Sequence, residues 1–175
     1  SYGFLRKVDN YIQPQVSEKE GMMQYVNVPA VHIKGVEGEL RYDWQQRLQV
    51  VGNVTWQDAR DRQEFKSDGK PSVTFDNHVP NRPWFYASAE ARYHFRRLFS
   101  KSDRLMLGLD YQWVHWFFLS WEGYGALETK ARIPEKNIFG AQATYSWNNE
   151  RYSIAVTCEN LFDRTIYDNY KLQKP

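Results

Sequence analysis

Any chemistry on this chain falls to aromatic and charged side chains, because its nucleophiles and metal ligands are scattered. His32, His78, His94 and His115 share no ligand spacing such as His-x-x-x-His, which disfavours a zinc site. Cys158 is the only cysteine, so no intramolecular disulfide and no cysteine-rich metal centre can form. Its phase with Ile154 and Val156 makes it a small residue of an apolar face. No Gly-x-Ser-x-Gly turn and no glycine-rich phosphate loop occurs. No catalytic residue, metal site or cofactor is therefore expected. Three groups remain. Trp116, Phe117, Phe118, Trp121 and Tyr124 form an aromatic cluster. Within it Trp121 and Tyr124, beside Gly123 and Gly125, are the first candidates for ligand contact; Asn77 and His78 are the second. Glu90, Arg92, Asp110 and Gln112 form a polar set able to pair across neighbouring strands. Asp58, Arg60, Asp61 and Arg62 are a charge cluster, read as a solvated ion-pair network with ligand contact as the sharper alternative.

These groups sit on elements with a period of two. From Trp84 to Phe95, Phe85, Ala87, Ala89, Ala91, Tyr93 and Phe95 fall on one face of a strand, and Ser88, Glu90, Arg92 and His94 on the other. Leu105, Leu107, Leu109, Tyr111 and Trp113 repeat the pattern against Gly108, Asp110 and Gln112. The same alternation predicts strands at Gly3 to Pro14, Val28 to Tyr42, Leu48 to Gln57, Phe139 to Trp147 and Tyr152 to Glu159, about seven in all. Val31 and Ile33 have the opposite parity from Val36, Leu40 and Tyr42, so Gly35 is expected to mark a bulge that resets the phase. If the fifth strand persists past Trp113, Phe117 joins the apolar face with Trp113 and His115, and Trp116 and Phe118 point the other way. The polar face then carries Glu90, Arg92, Asp110 and Gln112 and looks into a wet lumen.

Aromatics make up 17% of the 175 residues, with seven Trp and twelve Tyr. Mean hydropathy is −0.74, which transmembrane barrels share because half of every strand and all the loops are polar. No run of about eighteen apolar residues is present, so no transmembrane helix is encoded. A net charge of +2 without a dense basic run gives no nucleic-acid signature. Connections alternate in length. Asp43 to Arg47, Arg96 to Asp103 and Asn148 to Arg151 are short; Val16 to Asn27, Arg60 to Arg82, Leu119 to Lys136 and the tail from Asp163 are long. Short turns at one end and long loops at the other fit a bacterial outer-membrane barrel. A soluble sandwich also alternates, but its strands average five or six residues and its core favours larger aliphatics than this Ala run.

Tyr152 to Tyr170 resembles the closing region of TonB-dependent receptors of the bacterial outer membrane. There a late strand ends in Asn-Leu-Phe-Asp, here Asn160, Leu161, Phe162 and Asp163, followed by a basic residue, Arg164, and a Tyr-rich loop with Tyr167 and Tyr170. Ile33, Lys34, Gly35, Val36 and Glu37 resemble the family's recurring Gly-Val-Glu strand, and Gln57, Asp58, Ala59 and Arg60 the top of the strand after it. The resemblance implies an all-β, antiparallel up-and-down transmembrane barrel, of which residues 1–175 would be a C-terminal portion. The parent barrel would have 22 strands and a plugged lumen. The chain begins without Met and stops at Pro175, where a final strand is expected, so it reads as a piece of a longer protein. Plug and TonB-contacting box would lie upstream.

The expected function is active uptake of a scarce nutrient, an iron chelate, haem, corrinoid or sugar, across the bacterial outer membrane. The expected partners are membrane lipid, the nutrient and TonB through the upstream region. Two other readings stay open: a passive outer-membrane channel or adhesin barrel, and a soluble carbohydrate-binding β-sandwich.

Overall fold

The computed structural model describes residues 1–16, 23–66, 68–121, 132–167 and 173–174. Its strands are β1 (Tyr2–Val16), β2 (Met23–Trp44), β3 (Leu48–Asp61), β4 (Phe85–Arg96), β5 (Arg104–Val114), β6 (Phe117–Phe118), β7 (Arg132–Ile133), β8 (Lys136–Trp147), β9 (Tyr152–Cys158), β10 (Ile166–Tyr167) and β11 (Gln173–Lys174). Seven of them form one sheet in the order β1-β2-β3-β4-β5-β8-β9. Every neighbouring pair is antiparallel. The pairs β6–β7 and β10–β11 are small separate ribbons.

Register turns the alternation of each strand into a property of the whole sheet. Tyr42 pairs with Val50, Val50 with Ala91, Ala91 with Leu109, and Leu109 with Ala141. Ala141 in turn pairs with Cys158. Apolar side chains thus stand beside apolar side chains across six strands. The face they form is open: Leu40 is 64% exposed, Leu109 62% and Val156 65%. Aromatic pairs border it at both ends. Phe85–Trp113 and Tyr111–Phe139 mark the long-loop end, and Tyr93–Phe95 and Tyr145–Trp147 the short-turn end. Phe85 and Phe95 are separated by about 34 Å of strand, or about 26 Å of height at a tilt near 40°.

The short turns are built as their residues dictate. Gln45 and Gln46 take φ of 52° and 53°, and Asn148 and Asn149 take 53° and 55°, the left-handed conformation tight hairpins need. The third turn is organised by Asp103, whose carboxylate accepts the N–H groups of Leu98, Phe99 and Ser100 at 2.8–3.0 Å and the Tyr145 hydroxyl at 3.1 Å. Burial pushes the Asp103 carboxyl up, but these four donors outweigh it and hold it below the usual carboxylate value. A depressed pKa contributes stability that is complete above about pH 4 and is lost as pH falls through the lowered value. In a full-length chain, Asp103→Ala should therefore lower the melting temperature at neutral pH. The gap to the native chain should close as pH drops below about 4; a pH-independent gap would contradict the anchoring.

Three expectations change. Gly35 is not a bulge, since β2 keeps one register with β1 and with β3 straight through it. A Cβ there would lie 2.5 Å from the Trp56 carbonyl oxygen and 2.5 Å from the Phe4 ring, so glycine is needed for close approach. Val31 and Ile33 stay on the polar-side parity, where they are buried. The actual irregularity is at Asn10, with φ 56°, where the ladder passes over Asn10 and Pro29. Second, the expected Val16 to Asn27 loop is strand at Val16 and again from Met23 to Asn27, because β1 and β2 pair out to Val16 and Met23. Third, β5 stops at Val114, and the chain turns through His115 and Trp116 into β6, so parity no longer assigns faces beyond it. Phe117 is buried at 5% exposure rather than presented on the open apolar row, and Phe118 is buried too.

Candidate functional site

The long-loop end carries the candidate site. Residues 77–79 run alongside the top of β3: Asp61 N–H donates to the Asn77 carbonyl and Val79 N–H to the Ala59 carbonyl. Asp61, almost fully buried, holds this loop by accepting the Thr74 hydroxyl at 2.6 Å and the Gln63 N–H at 2.8 Å. Val79 then packs with Val28, Val31, Ile33, Ala59 and Trp121, and Phe4, Val8 and Tyr11 flank that cluster. Trp121 is 5% exposed within it. The expected ligand contact is thus placed as a loop anchor against the top of β1–β3. Tyr124 lies outside the described residues.

Asn77 and His78 come together with the charge cluster and not with Trp121. The Asn77 side-chain amide donates to the Val73 carbonyl at 3.3 Å. His78 Nε2 is 3.3 Å from Asp58 and 3.2 Å from Arg60. Its ring also lies 5.3 Å from that of Trp84. Trp84 begins an aromatic box that sequence reading did not assemble. It meets Trp116 edge-on at 4.5 Å, His115 at 5.3 Å and Phe118 at 5.8 Å. Arg132 stands 4.2 Å above the Trp116 ring, a cation–π contact. The signal was available in Trp84 and Trp116, which flank the Tyr86–Val114 pair two residues out on each strand.

The polar face below carries the other expected set. Glu90 stands opposite Asp110 and Arg92 opposite Gly108. The ion pair joins Arg92 to Glu90 along β4, while the cross-strand position sets the like charges of Glu90 and Asp110 opposite each other. Asp110 leans over Gly140, where a Cβ would lie 2.4 Å from its carboxylate. Gln112 lines an open cleft of about 240 Å³ with Asn53, Thr55, Tyr86 and Ser88. Its polar walls are amides and hydroxyls and carry no charge.

The Asn160–Asp163 segment is a structural turn. Asn160 has φ 51°, donates its amide to the Arg164 carbonyl at 2.9 Å and accepts the Arg164 N–H at 2.9 Å. Leu161 N–H donates to the Phe139 carbonyl at 2.7 Å, and Phe162 meets Phe139 edge-on. Relative to the Ala141–Cys158 pair this bond leaves one extra residue on the β9 side, a bulge that takes the chain off the sheet. Asn160→Ala should cost about 1 kcal/mol of stability through the lost bonds. Asn160→Gly, which keeps the φ, should lose part of this; equal stability of all three chains would contradict the role.

Residues 3–161 match the model of a protein family described as TonB dependent receptor-like, beta-barrel. No curated protein matches the sequence. Among solved structures, a point mutant of the ferric enterobactin receptor of Pseudomonas aeruginosa superposes with a TM-score of 0.60 at 17% identity, over 94% of this chain and 23% of that one. The chain thus spans about a quarter of the length of that receptor.

Proposed function

The chain belongs to the TonB-dependent receptor β-barrel family, and on that premise we propose that it is wall of an outer-membrane receptor for a scarce nutrient. The whole protein would import that nutrient in a TonB-energised step. The observation that supports this most is the in-register apolar face, open across the sheet and bordered by aromatic rings at a spacing of about 26 Å, near the ~25 Å apolar band of such barrels. A face carrying aliphatic side chains as exposed as Leu107, Leu109, Val54 and Val156, at 41–65%, is disfavoured in water and suited to lipid. The opposite, polar face would then line the interior. Long loops bearing the aromatic box would face outward, where a ligand arrives.

The ligand belongs to the set an aromatic and polar mouth can hold: an iron chelate, haem, a corrinoid or a sugar. Ferric enterobactin, from the name of the structural neighbour, is the first to try. Cells displaying the full-length protein should take up the labelled ligand saturably, and an uncoupler of the proton gradient should abolish uptake. Unsaturable uptake that survives the uncoupler would favour a passive channel instead.

A further inference from the structure

The outward face carries a second feature just beyond the apolar band at the long-loop end. Lys34 and His32 follow Val36 on the same row of β2, and Asp58 and Arg60 follow Trp56 on the same row of β3. With Leu5 and Arg62 they line a pocket of about 120 Å³. We propose that this pocket binds the phosphate group of an outer-leaflet lipid. Asp58 is the one carboxylate in the lining. It is already engaged by Lys34 at 3.3 Å, Arg60 at 2.9 Å and His78 at 3.3 Å. Arg62 pairs with Asp76 at 2.8 Å at the rim. Two cations, Lys34 and Arg60, thus converge on one internal carboxylate, with the His78 ring beside it. The Lys34 side chain remains 58% exposed and that of Arg62 37%, leaving donors turned to solvent. Lys7, paired with His32 on β1 and exposed, adds positive charge to the same row.

Arginine and lysine together suit phosphate, the first through its fork of donors and the second as a point charge. A lipid is favoured over a free anion because the pocket adjoins the open apolar rows: Leu5 is 67% exposed, and Val36 and Trp56 begin the apolar face directly below. A headgroup seated here would keep its acyl chains on that face. The volume admits one phosphate-sized group and excludes a bulky chelate.

The inference rests on the lipid-facing reading of that face, and one experiment separates the two. The full-length protein is placed in nanodiscs of brominated phosphatidylcholine with or without diphosphoryl lipid A, and retained lipid A is counted by native mass spectrometry. The double variant Lys34→Gln/Arg62→Gln should retain at least about tenfold less lipid A, the loss of one charge-assisted hydrogen bond or more. Lys34→Arg/Arg62→Lys should retain it. Equal retention by the native and Gln chains, or displacement of lipid A by excess inorganic phosphate, would overturn the site. Quenching of Trp56 by the brominated chains, read as the difference from Trp56→Phe, reports embedding independently. Quenching without lipid A retention removes only the pocket, whereas absent quenching removes the lipid-facing reading as well.

Discussion

Leu109→Arg should lower the unfolding free energy of the full-length barrel by about 2–4 kcal/mol, the cost of a cation near the bilayer midplane on the lipid face. Leu109 lies midway between the two aromatic borders, paired with Ala91 and Ala141. It is 62% exposed in the chain itself. A water-exposed position of that kind tolerates substitution within about 0.5 kcal/mol, so the magnitude decides what solvates the face. Gln112→Arg, three residues away on the opposite face, should be close to neutral because Gln112 is exposed there and shares its cleft with the amide and hydroxyl groups of Asn53, Thr55 and Ser88. Denaturant titration in detergent micelles or liposomes reads both variants. A near-zero effect for Leu109→Arg would show that water bathes the row.

Gly35→Val should be the second large effect, with about 1–3 kcal/mol lost to overpacking. The new Cβ would lie 2.5 Å from the backbone oxygen of Trp56. A backbone atom in a continuous ladder cannot swing aside, so β2 and β3 would have to separate around Gly35–Gln57. The Phe4 ring is the other obstacle, also at 2.5 Å, and it can move. Phe4→Ala in the Gly35→Val background should therefore recover part of the stability and not all of it. Full recovery would assign the constraint to Phe4 alone, and no loss in Gly35→Val would refute the close approach.

The wall was legible in the sequence because a strand of period two writes its two faces into alternate residues. Phe85 through Phe95 and Leu105 through Trp113 announced their faces, and the register only had to place equal rows together. Turns such as Asn148–Asn149 were legible because few residues accept a positive φ. The long-loop end was not. Alternation tells which side a residue points to and not whether a loop covers that side. Val31 and Ile33 looked out of phase, which invited a bulge at Gly35. They are in phase, on the polar-face parity, and apolar because Val79 and Trp121 roof them. The same roof explains Trp121. An aromatic residue in a long loop carries the same sequence signal whether it meets a ligand or closes a cluster. The placement of Phe117 failed for a simpler reason: parity was carried past the point where β5 ends.

The most direct measurement is depth-resolved fluorescence quenching of Trp113 and Trp147, each left as the lone quenchable residue of its border by Trp→Phe changes elsewhere. The full-length protein is placed in liposomes with brominated lipid or with aqueous acrylamide. Rows solvated by hydrocarbon require strong quenching of both residues by bromine near the ends of the acyl chains closest to the headgroups, and weak quenching by acrylamide. Quenching by acrylamide alone would mean that water bathes those rows, and an uptake barrel could not be built from them.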